Sequence, residues 1–94
     1  MRSIKQTGAF KRDLKRESKG IYKDALKTDF PAVLVMLAKD QPLPDKFHDH
    51  QLTGEWSGFR ECHLKPDLLF LYRQPEDNTL RLVRLGSHSE VLKK

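Results

Sequence analysis

Side chains that could move protons around a phosphate group are concentrated in two short stretches of this chain. Residues 48–67, HDHQLTGEWSGFRECHLKPD, contain three of the four histidines and two aspartates. Residues 80–88, LRLVRLGSH, end at the fourth histidine and include Arg84. We interpret both stretches as parts of one site that folding brings together.

This set of side chains suits the cleavage of an RNA phosphodiester without a metal ion. A base must remove the 2′-hydroxyl proton, an acid must protonate the departing 5′-oxygen, and a cation must stabilise charge on the phosphate. Histidine can perform either proton transfer because its reference pKa is about 6.5. Each transfer contributes roughly 10²- to 10⁴-fold to the rate. The candidate catalytic residues are His50, His63, Asp67, Arg84 and His88.

Strand geometry decides which of these side chains can meet. If residues 59–64 form a strand, alternation places His63 on the same face as Glu61. Asp67 follows in the turn after this strand and can therefore lie beside His63. Arg84 falls on the apolar face of its own strand, so it reaches the site only if that strand bends or ends there.

A metal site is the alternative for the same residues. His50, His63, His88 and Asp67 could bind one ion together. Cys62 cannot join them through the same strand, because adjacent strand residues point to opposite faces. The spacings match no zinc pattern. We therefore expect neither a metal nor a cofactor.

Other residues of the same region have structural interpretations. His48 is predicted to lie on the surface of the loop, and Trp56 to pack beneath it. Arg60 and Glu61 can form a solvated ion pair. Cys62 is typical of a small buried residue.

Two helices are predicted in the first part of the chain. Thr7 can cap a helix whose apolar face carries Phe10, Leu14 and Ile21. Residues 29–40 form a second, almost entirely apolar helix, with a proline in its first turn. Such a helix requires a sheet to pack against.

Three antiparallel strands are predicted at residues 59–64, 68–73 and 80–85, because only short turns separate them. The middle strand is apolar on both faces and should be the central one. Residues 2–6 are predicted to add a short strand anchored by Ile4. Helices followed by strands indicate an α+β domain with the helices on one face of the sheet.

The composition limits the partners and the compartment. A net charge of +5 favours a polyanionic partner, either nucleic acid or an acidic protein. The chain has one cysteine, no secretion-like apolar run and no membrane-spanning segment. We expect a cytoplasmic protein that does not bind membranes.

The residues from His48 to Leu92 resemble a known family. The run DHQLTGEWSGFRECHLKPDLLFLY, followed by LRLVRLGSHSEVL, closely resembles the YafQ branch of the RelE/ParE superfamily. These are the toxin halves of bacterial toxin–antitoxin pairs. The resemblance implies a single RelE-like toxin domain over residues 1–94. Its fold would be two N-terminal helices packed on one face of a small twisted, mainly antiparallel sheet.

The activity that the resemblance implies is that of a ribosome-dependent mRNA endoribonuclease, which cuts the codon in the decoding site without a metal. A cognate antitoxin protein would block the site. The family's catalytic positions fall on His50, His63, Asp67 and His88, with Arg84 as the cation facing the phosphate. In this hypothesis His50 and Asp67 exchange protons with the attacking and leaving oxygens. The phosphate is stabilised by His63, Arg84 and His88, and His88 is an alternative acid.

The resemblance implies that the basic face of the first helix binds ribosomal RNA. The predicted RNA- and ribosome-binding residues are Lys11, Arg12, Lys15, Arg16, Lys19 and Arg60.

Two positions depart from the family pattern. Leu68 stands where relatives often have an aromatic residue, and Leu92 stands where they often have phenylalanine. Base stacking at these positions would differ, and with it the codon preference.

Two other activities are open from the sequence. A ParE-like protein would share the fold and inhibit DNA gyrase without cutting RNA, although the histidine and aspartate set speaks against it. A ribosome-independent RNase would cut naked RNA.

Overall fold

The computed structural model describes residues 1–92, which form three α-helices and five strands. The helices are α1 (Gly8–Glu17), α2 (Asp29–Ala38) and α3 (His88–Val91). The strands are β1 (Ser3–Gln6), β2 (His50–Gln51), β3 (Arg60–Lys65), β4 (Leu68–Arg73) and β5 (Thr79–Gly86).

Local sequence signals explain where the two longer helices begin. The Thr7 hydroxyl accepts a hydrogen bond of 2.9 Å from the backbone N–H of Phe10, which caps the N-terminus of α1. Helix α2 begins at Asp29, and Pro31 lies in its first turn, where its missing N–H costs nothing. Asp40, with a φ of 56°, follows the end of α2.

The five strands form one sheet in the order β1-β5-β4-β3-β2. Strands β2 to β5 pair antiparallel, whereas β1 pairs parallel with β5 at one edge. The short turns between β3, β4 and β5 require the antiparallel arrangement. The chain reaches β5 from β1 only after both longer helices, so a parallel pair is possible there.

Helices α1 and α2 cover one face of this sheet. The rings of Phe10, Phe30 and Phe70 contact one another, with centroids 5.2 to 6.0 Å apart. Each ring buried in this way contributes roughly 1.5 to 3 kcal/mol. Residues 68–72 of β4 are all completely buried, as expected for the central strand.

The opposite face of the sheet has a smaller apolar cluster. Leu69 and Leu71 point to this side and pack with Val91 of α3. Trp56 is partly buried against the same cluster. Because this cluster is small, the rest of the face is left to polar side chains.

An irregularity in β5 changes the face of the sheet to which the side chains after it point. Leu71 pairs with Arg84, but the next residue of β4, Tyr72, pairs with Leu82. Val83 is therefore an extra residue, a β-bulge. Beyond the bulge Arg84 shares the face of Leu71 and no longer that of Leu82.

The predicted fold class is confirmed, with the helices on one face of a mainly antiparallel sheet. The expected apolar role of Ile21 is wrong, because α1 ends at Glu17 and Ile21 is 89% exposed. Ile4 lies in the predicted first strand but is 46% exposed, so it does not anchor the core. Strand β2 and helix α3 were not predicted.

Among residues 1–92, no helix has the length and apolar character that crossing a bilayer requires.

Candidate active site

A row of paired residues crosses the sheet face opposite α1 and α2. His50 of β2 lies opposite Glu61 of β3. Glu61 lies opposite Leu71 of β4, which lies opposite Arg84 of β5. The sheet pairing therefore brings residues from both chemically rich stretches to one face.

Glu61 is a buried carboxylate between two imidazoles. Its Oε1 atom lies 3.2 Å from Nε2 of His63 and 3.4 Å from Nε2 of His50. The Glu61 side chain is only 4% exposed. Burying a carboxylate is costly unless hydrogen bonds or charges compensate. The two imidazoles are positioned to supply that compensation.

His50 has a second hydrogen bond, from its own loop. Its Nδ1 atom lies 2.7 Å from the carbonyl oxygen of His48. His48 adopts a left-handed backbone conformation with a φ of 48°, which turns the chain into β2. Both ring nitrogens of His50 therefore face oxygen acceptors.

Asp67 and His88 form the other half of the cluster. Asp67 Oδ1 accepts a hydrogen bond of 3.1 Å from the backbone N–H of His88 and lies 2.9 Å from its Nδ1. His88 is the first residue of α3, whose N-terminus is closed by a capping box between Ser87 and Glu90. The cap therefore fixes the backbone on which His88 stands.

Hydrogen bonds from the His88 ring and backbone hold the pKa of Asp67 below its ordinary value. Asp67 is therefore a carboxylate at neutral pH. In that form it can accept hydrogen bonds, but it has no proton to donate.

His63 lies at the centre of the imidazoles. Its ring centroid is 5.8 Å from that of His48, 6.2 Å from that of His50 and 5.6 Å from that of His88. The structure thus gathers His50, His63, His88 and, through His88, Asp67 at one end of the sheet.

Arg84 is attached to helix α1. Its Nε and Nη2 atoms donate hydrogen bonds of 2.7 and 3.2 Å to the carboxylate of Asp13. Asp13 is 3% exposed and also accepts a hydrogen bond from the backbone N–H of Leu85. Burial by itself raises the pKa of Asp13, but the Arg84 and Leu85 hydrogen bonds and the charges of Arg84 and Arg16 outweigh burial and lower it.

The predicted RNA-binding cations divide into two groups. Arg16 binds Asp13, Glu17 and Glu90. Arg60 binds Asp49. The remaining four are exposed on or just after α1; they are Lys11, Arg12, Lys15 and Lys19.

Asp49 connects the loop that carries His48 and His50 to the sheet. Its carboxylate accepts hydrogen bonds from the Tyr72 hydroxyl and, at 3.0 Å, from Nη2 of Arg60. Tyr72 is fully buried, and burial is the largest cause that raises the pKa of its phenol. The hydrogen bond to the Asp49 carboxylate raises that pKa further. Tyr72 therefore remains a neutral hydrogen-bond donor.

A cavity of about 710 Å³ opens beside His48, His50 and His63. Lys46 and Lys65 also line it. Asp29 lies in the same lining and forms an ion pair of 3.0 Å with Lys65. The size of the cavity lies in the range of small-molecule sites.

The same cluster offers atoms that could ligate a metal. One ligand atom from each of Glu61, His63 and His88 lies within 4.8 Å of the others. This group shares His63 and His88 with the metal set considered from the sequence. Glu61 takes the place of His50 and Asp67 in it.

Glu61 is the residue that sequence reasoning underestimated. A solvated pair of Arg60 with Glu61 was expected, but Glu61 is buried and faces the histidines. Strand alternation, which places Glu61 and His63 on one face, was the signal that could have found it.

Leu68 is fully buried in the main core, so it cannot stack on a base without unfolding β4. Leu92 is partly buried against the smaller apolar cluster.

Comparisons with known proteins agree over nearly the whole chain. The family described as bacterial toxin of type II toxin–antitoxin system, YafQ, matches residues 2–93. The mRNA interferase toxin YafQ of Escherichia coli strain K12 is 34% identical over 90 residues, 96% of this chain and 95% of that protein. Since an mRNA interferase is an endoribonuclease, the predicted enzyme class is confirmed at the level of the family.

Solved structures give the same result. A crystal structure of a metal-bound toxin from Helicobacter pylori has a TM-score of 0.80 and 46% identity, covering 97% of this chain and 99% of that chain. The E. coli DinJ–YafQ complex has a TM-score of 0.76 and 30% identity, covering 97% and 98%. With a family match across residues 2–93 and a 34% identical relative aligned over 95% of its length, this chain belongs to the YafQ family of toxins from type II toxin–antitoxin systems.

Proposed function

We propose that this toxin is a ribosome-dependent mRNA endoribonuclease that cleaves the codon in the decoding site by metal-free transesterification. The observation that supports this most is the clustering of His63 with His50 on one side and with the His88–Asp67 pair on the other. A base and an acid on opposite sides of one phosphate are what the reaction requires.

The hydrogen bonds favour His63 over His50 as the base. Nε2 of His63 faces Glu61, which leaves Nδ1 to take the proton of the 2′-hydroxyl. Both nitrogens of His50 already face oxygens, so neither is as free to take the 2′-hydroxyl proton. This proposal differs from the sequence-based hypothesis, in which His50 and Asp67 exchange protons with the substrate and His63 stabilises the phosphate.

His88 is the proposed acid. Asp67 binds its Nδ1, so Nε2 is the nitrogen that can give a proton to the 5′-oxygen. Since Asp67 has no proton to give at neutral pH, its proposed role is to orient His88. The 2′-oxygen attacks phosphorus, the bond to the 5′-oxygen breaks, and the products are a 2′,3′-cyclic phosphate and a 5′-hydroxyl.

Arg84 is proposed to stabilise charge on the phosphate. Its Nε and Nη2 atoms are held by Asp13, and the side chain is 27% exposed. Asp13 would thus orient the guanidinium so that Nη1 is the atom that meets the phosphate.

The ribosome is proposed to hold the mRNA in position for the reaction. A shallow cluster on a single domain of this size can orient flexible mRNA only weakly, and positioning contributes several kcal/mol to such reactions. The exposed cations of α1 are proposed to bind ribosomal RNA in the cytoplasm.

A cognate antitoxin is the proposed inhibitor. The E. coli relative forms a complex with DinJ. The net charge of +5 favours a partner with an acidic surface.

Primer extension on an mRNA with and without ribosomes tests the proposal. We expect cuts within the open reading frame only when ribosomes are present. Equal cutting of naked RNA would indicate a ribosome-independent RNase. Loss of DNA supercoiling without any cut would indicate a ParE-like inhibitor.

A further inference from the structure

Glu61 has a position that its neighbours do not explain by packing. Its Oε2 atom is buried and has no hydrogen-bond partner among residues 1–92. A buried unsatisfied carboxylate oxygen costs free energy. An apolar residue opposite Leu71 would avoid that cost, so the contacts of the other oxygen with the imidazoles call for a functional explanation.

The contact with His63 determines where that ring carries its proton. A carboxylate only accepts hydrogen bonds, so the 3.2 Å contact requires hydrogen on Nε2 of His63. In the neutral ring the lone pair is then on Nδ1. Glu61 therefore selects one of two tautomers.

The contact with His50 works differently. The His48 carbonyl also only accepts, so Nδ1 of His50 must be the donor at 2.7 Å. Nε2 of His50 lies 3.4 Å from Oε1 of Glu61, farther away than Nε2 of His63 at 3.2 Å. Glu61 therefore binds His63 and only approaches His50.

We propose that Glu61 is a positioning residue that keeps the His63 proton on Nε2, so that Nδ1 can act as the base. The inference rests on the proposed function for its catalytic consequence. Its structural part, the tautomer of His63, can be measured without substrate.

Glu61→Leu removes the acceptor while filling the same space with apolar atoms, so the variant is expected to fold. Long-range ¹H–¹⁵N correlation spectra report the protonated nitrogen of each histidine. We expect the Nε2–H form of His63 in the wild-type protein and a mixture of tautomers in Glu61→Leu. Glu61→Asp keeps a carboxylate and should restore part of the wild-type signal. Glu55→Leu, at an exposed position in the segment that precedes β3, is the matched control.

Single-turnover cleavage of ribosome-bound mRNA gives the second readout. We expect Glu61→Leu to lower the rate at saturating ribosome complexes by the same factor as the population of the Nε2–H form of His63, about twofold for an even mixture of tautomers, because only that form has a lone pair on Nδ1. The concentration of complexes at half-maximal rate should not change, and Glu61→Asp should recover part of the rate.

An unchanged His63 tautomer in Glu61→Leu would overturn the inference, even if cleavage were lost. A Glu61→Leu rate equal to the wild-type rate would also overturn it, since only molecules with a lone pair on Nδ1 of His63 have a working base. If the wild-type protein does not cleave ribosome-bound mRNA, the proposed function fails, and the spectra by themselves still decide whether Glu61 selects the tautomer.

Discussion

Asp67 binds His88 twice, through the backbone N–H at 3.1 Å and the ring Nδ1 at 2.9 Å. The two contacts fix both the start of helix α3 and the rotation of the imidazole. They also determine which ring nitrogen is free, because Nδ1 is occupied. Asp67 therefore fixes the orientation of the His88 ring, and the same hydrogen bonds hold the pKa of Asp67 below its ordinary value.

Replacing Asp67 with asparagine should slow cleavage without unfolding the protein. The amide oxygen of the new side chain could still accept from the His88 backbone, but the neutral amide would no longer stabilise the charged imidazole. We expect the single-turnover rate to fall by roughly 10- to 10³-fold. Asp24→Asn changes an exposed residue far from Asp67 in the sequence, and this variant should cleave at the wild-type rate. Wild-type cleavage by Asp67→Asn would exclude the orienting role.

The fall of the cleavage rate at low pH should not be caused by protonation of Asp67. Its pKa is lowered from 3.8, so the carboxylate stays ionised throughout the usual assay range of about pH 5 to 8.

The triple replacement Lys11→Glu, Lys15→Glu, Lys19→Glu should weaken ribosome binding. Each lost phosphate contact also reduces the slope of log affinity against log salt by roughly 0.7 to 0.9. Filter binding to ribosomes at several salt concentrations measures both effects.

The matched control for that experiment makes the same charge change at three other exposed lysines, Lys23, Lys27 and Lys39. If both triple variants lose affinity equally, overall charge and not the α1 face would govern binding.

Replacing Asp13 with asparagine should destabilise the fold in a pH-dependent way. An asparagine side chain cannot satisfy Arg84, Arg16 and the Leu85 N–H together, so we expect a loss of about 1 to 3 kcal/mol at pH 7. The folded-state pKa of Asp13 lies below the unfolded value, so its ionised form favours folding. Its contribution is complete above the unfolded pKa and is lost as the pH falls through the folded pKa.

Urea unfolding at several pH values checks this expectation. The difference between the wild-type protein and Asp13→Asn should be largest at neutral pH and shrink below pH 3.8, the ordinary pKa of the group. Asp40→Asn is the control, because Asp40 pairs with Arg2 at an exposed site and such pairs contribute about 0 to 1 kcal/mol. A difference that does not vary with pH would mean that the Asp13 charge is unimportant.

Tyr72→Phe should loosen the loop that carries His48 and His50. The change removes the hydrogen bond to the Asp49 carboxylate and the one that the hydroxyl accepts from Nε of Arg60, and it keeps the buried ring. We expect a loss of roughly 1.5 to 3 kcal/mol in the free energy of unfolding and a several-fold slower cleavage at unchanged ribosome affinity. Tyr22→Phe removes the hydroxyl of a partly buried tyrosine elsewhere in the core and should change neither. Equal effects of both changes would contradict the role given to Asp49.

Cleavage should be undiminished in EDTA. The proposed chemistry needs only imidazoles, a carboxylate and a guanidinium, although Glu61, His63 and His88 could also ligate an ion. End analysis should find the 2′,3′-cyclic phosphate and the 5′-hydroxyl with or without the chelator. Activity that EDTA abolishes and added metal restores would require a different mechanism.

Much of the architecture follows from local patterns. Proline in the first turn of α2, the short turns around β4 and the apolar run of β4 are enough to predict the α+β fold. These signals work because they act within a few residues. Strand β2 and helix α3 are too short to carry such a pattern.

The sequence by itself determined the side chains available for catalysis and the shared face of Glu61 and His63, since alternation along a strand is a local property. Only the tertiary structure decided which partners they meet. The bulge at Val83 turned Arg84 away from the face of Leu82, and α1 brought Asp13 to bind it. Contacts between residues far apart in the chain depend on register and packing, and neither can be deduced from the spacing of one segment.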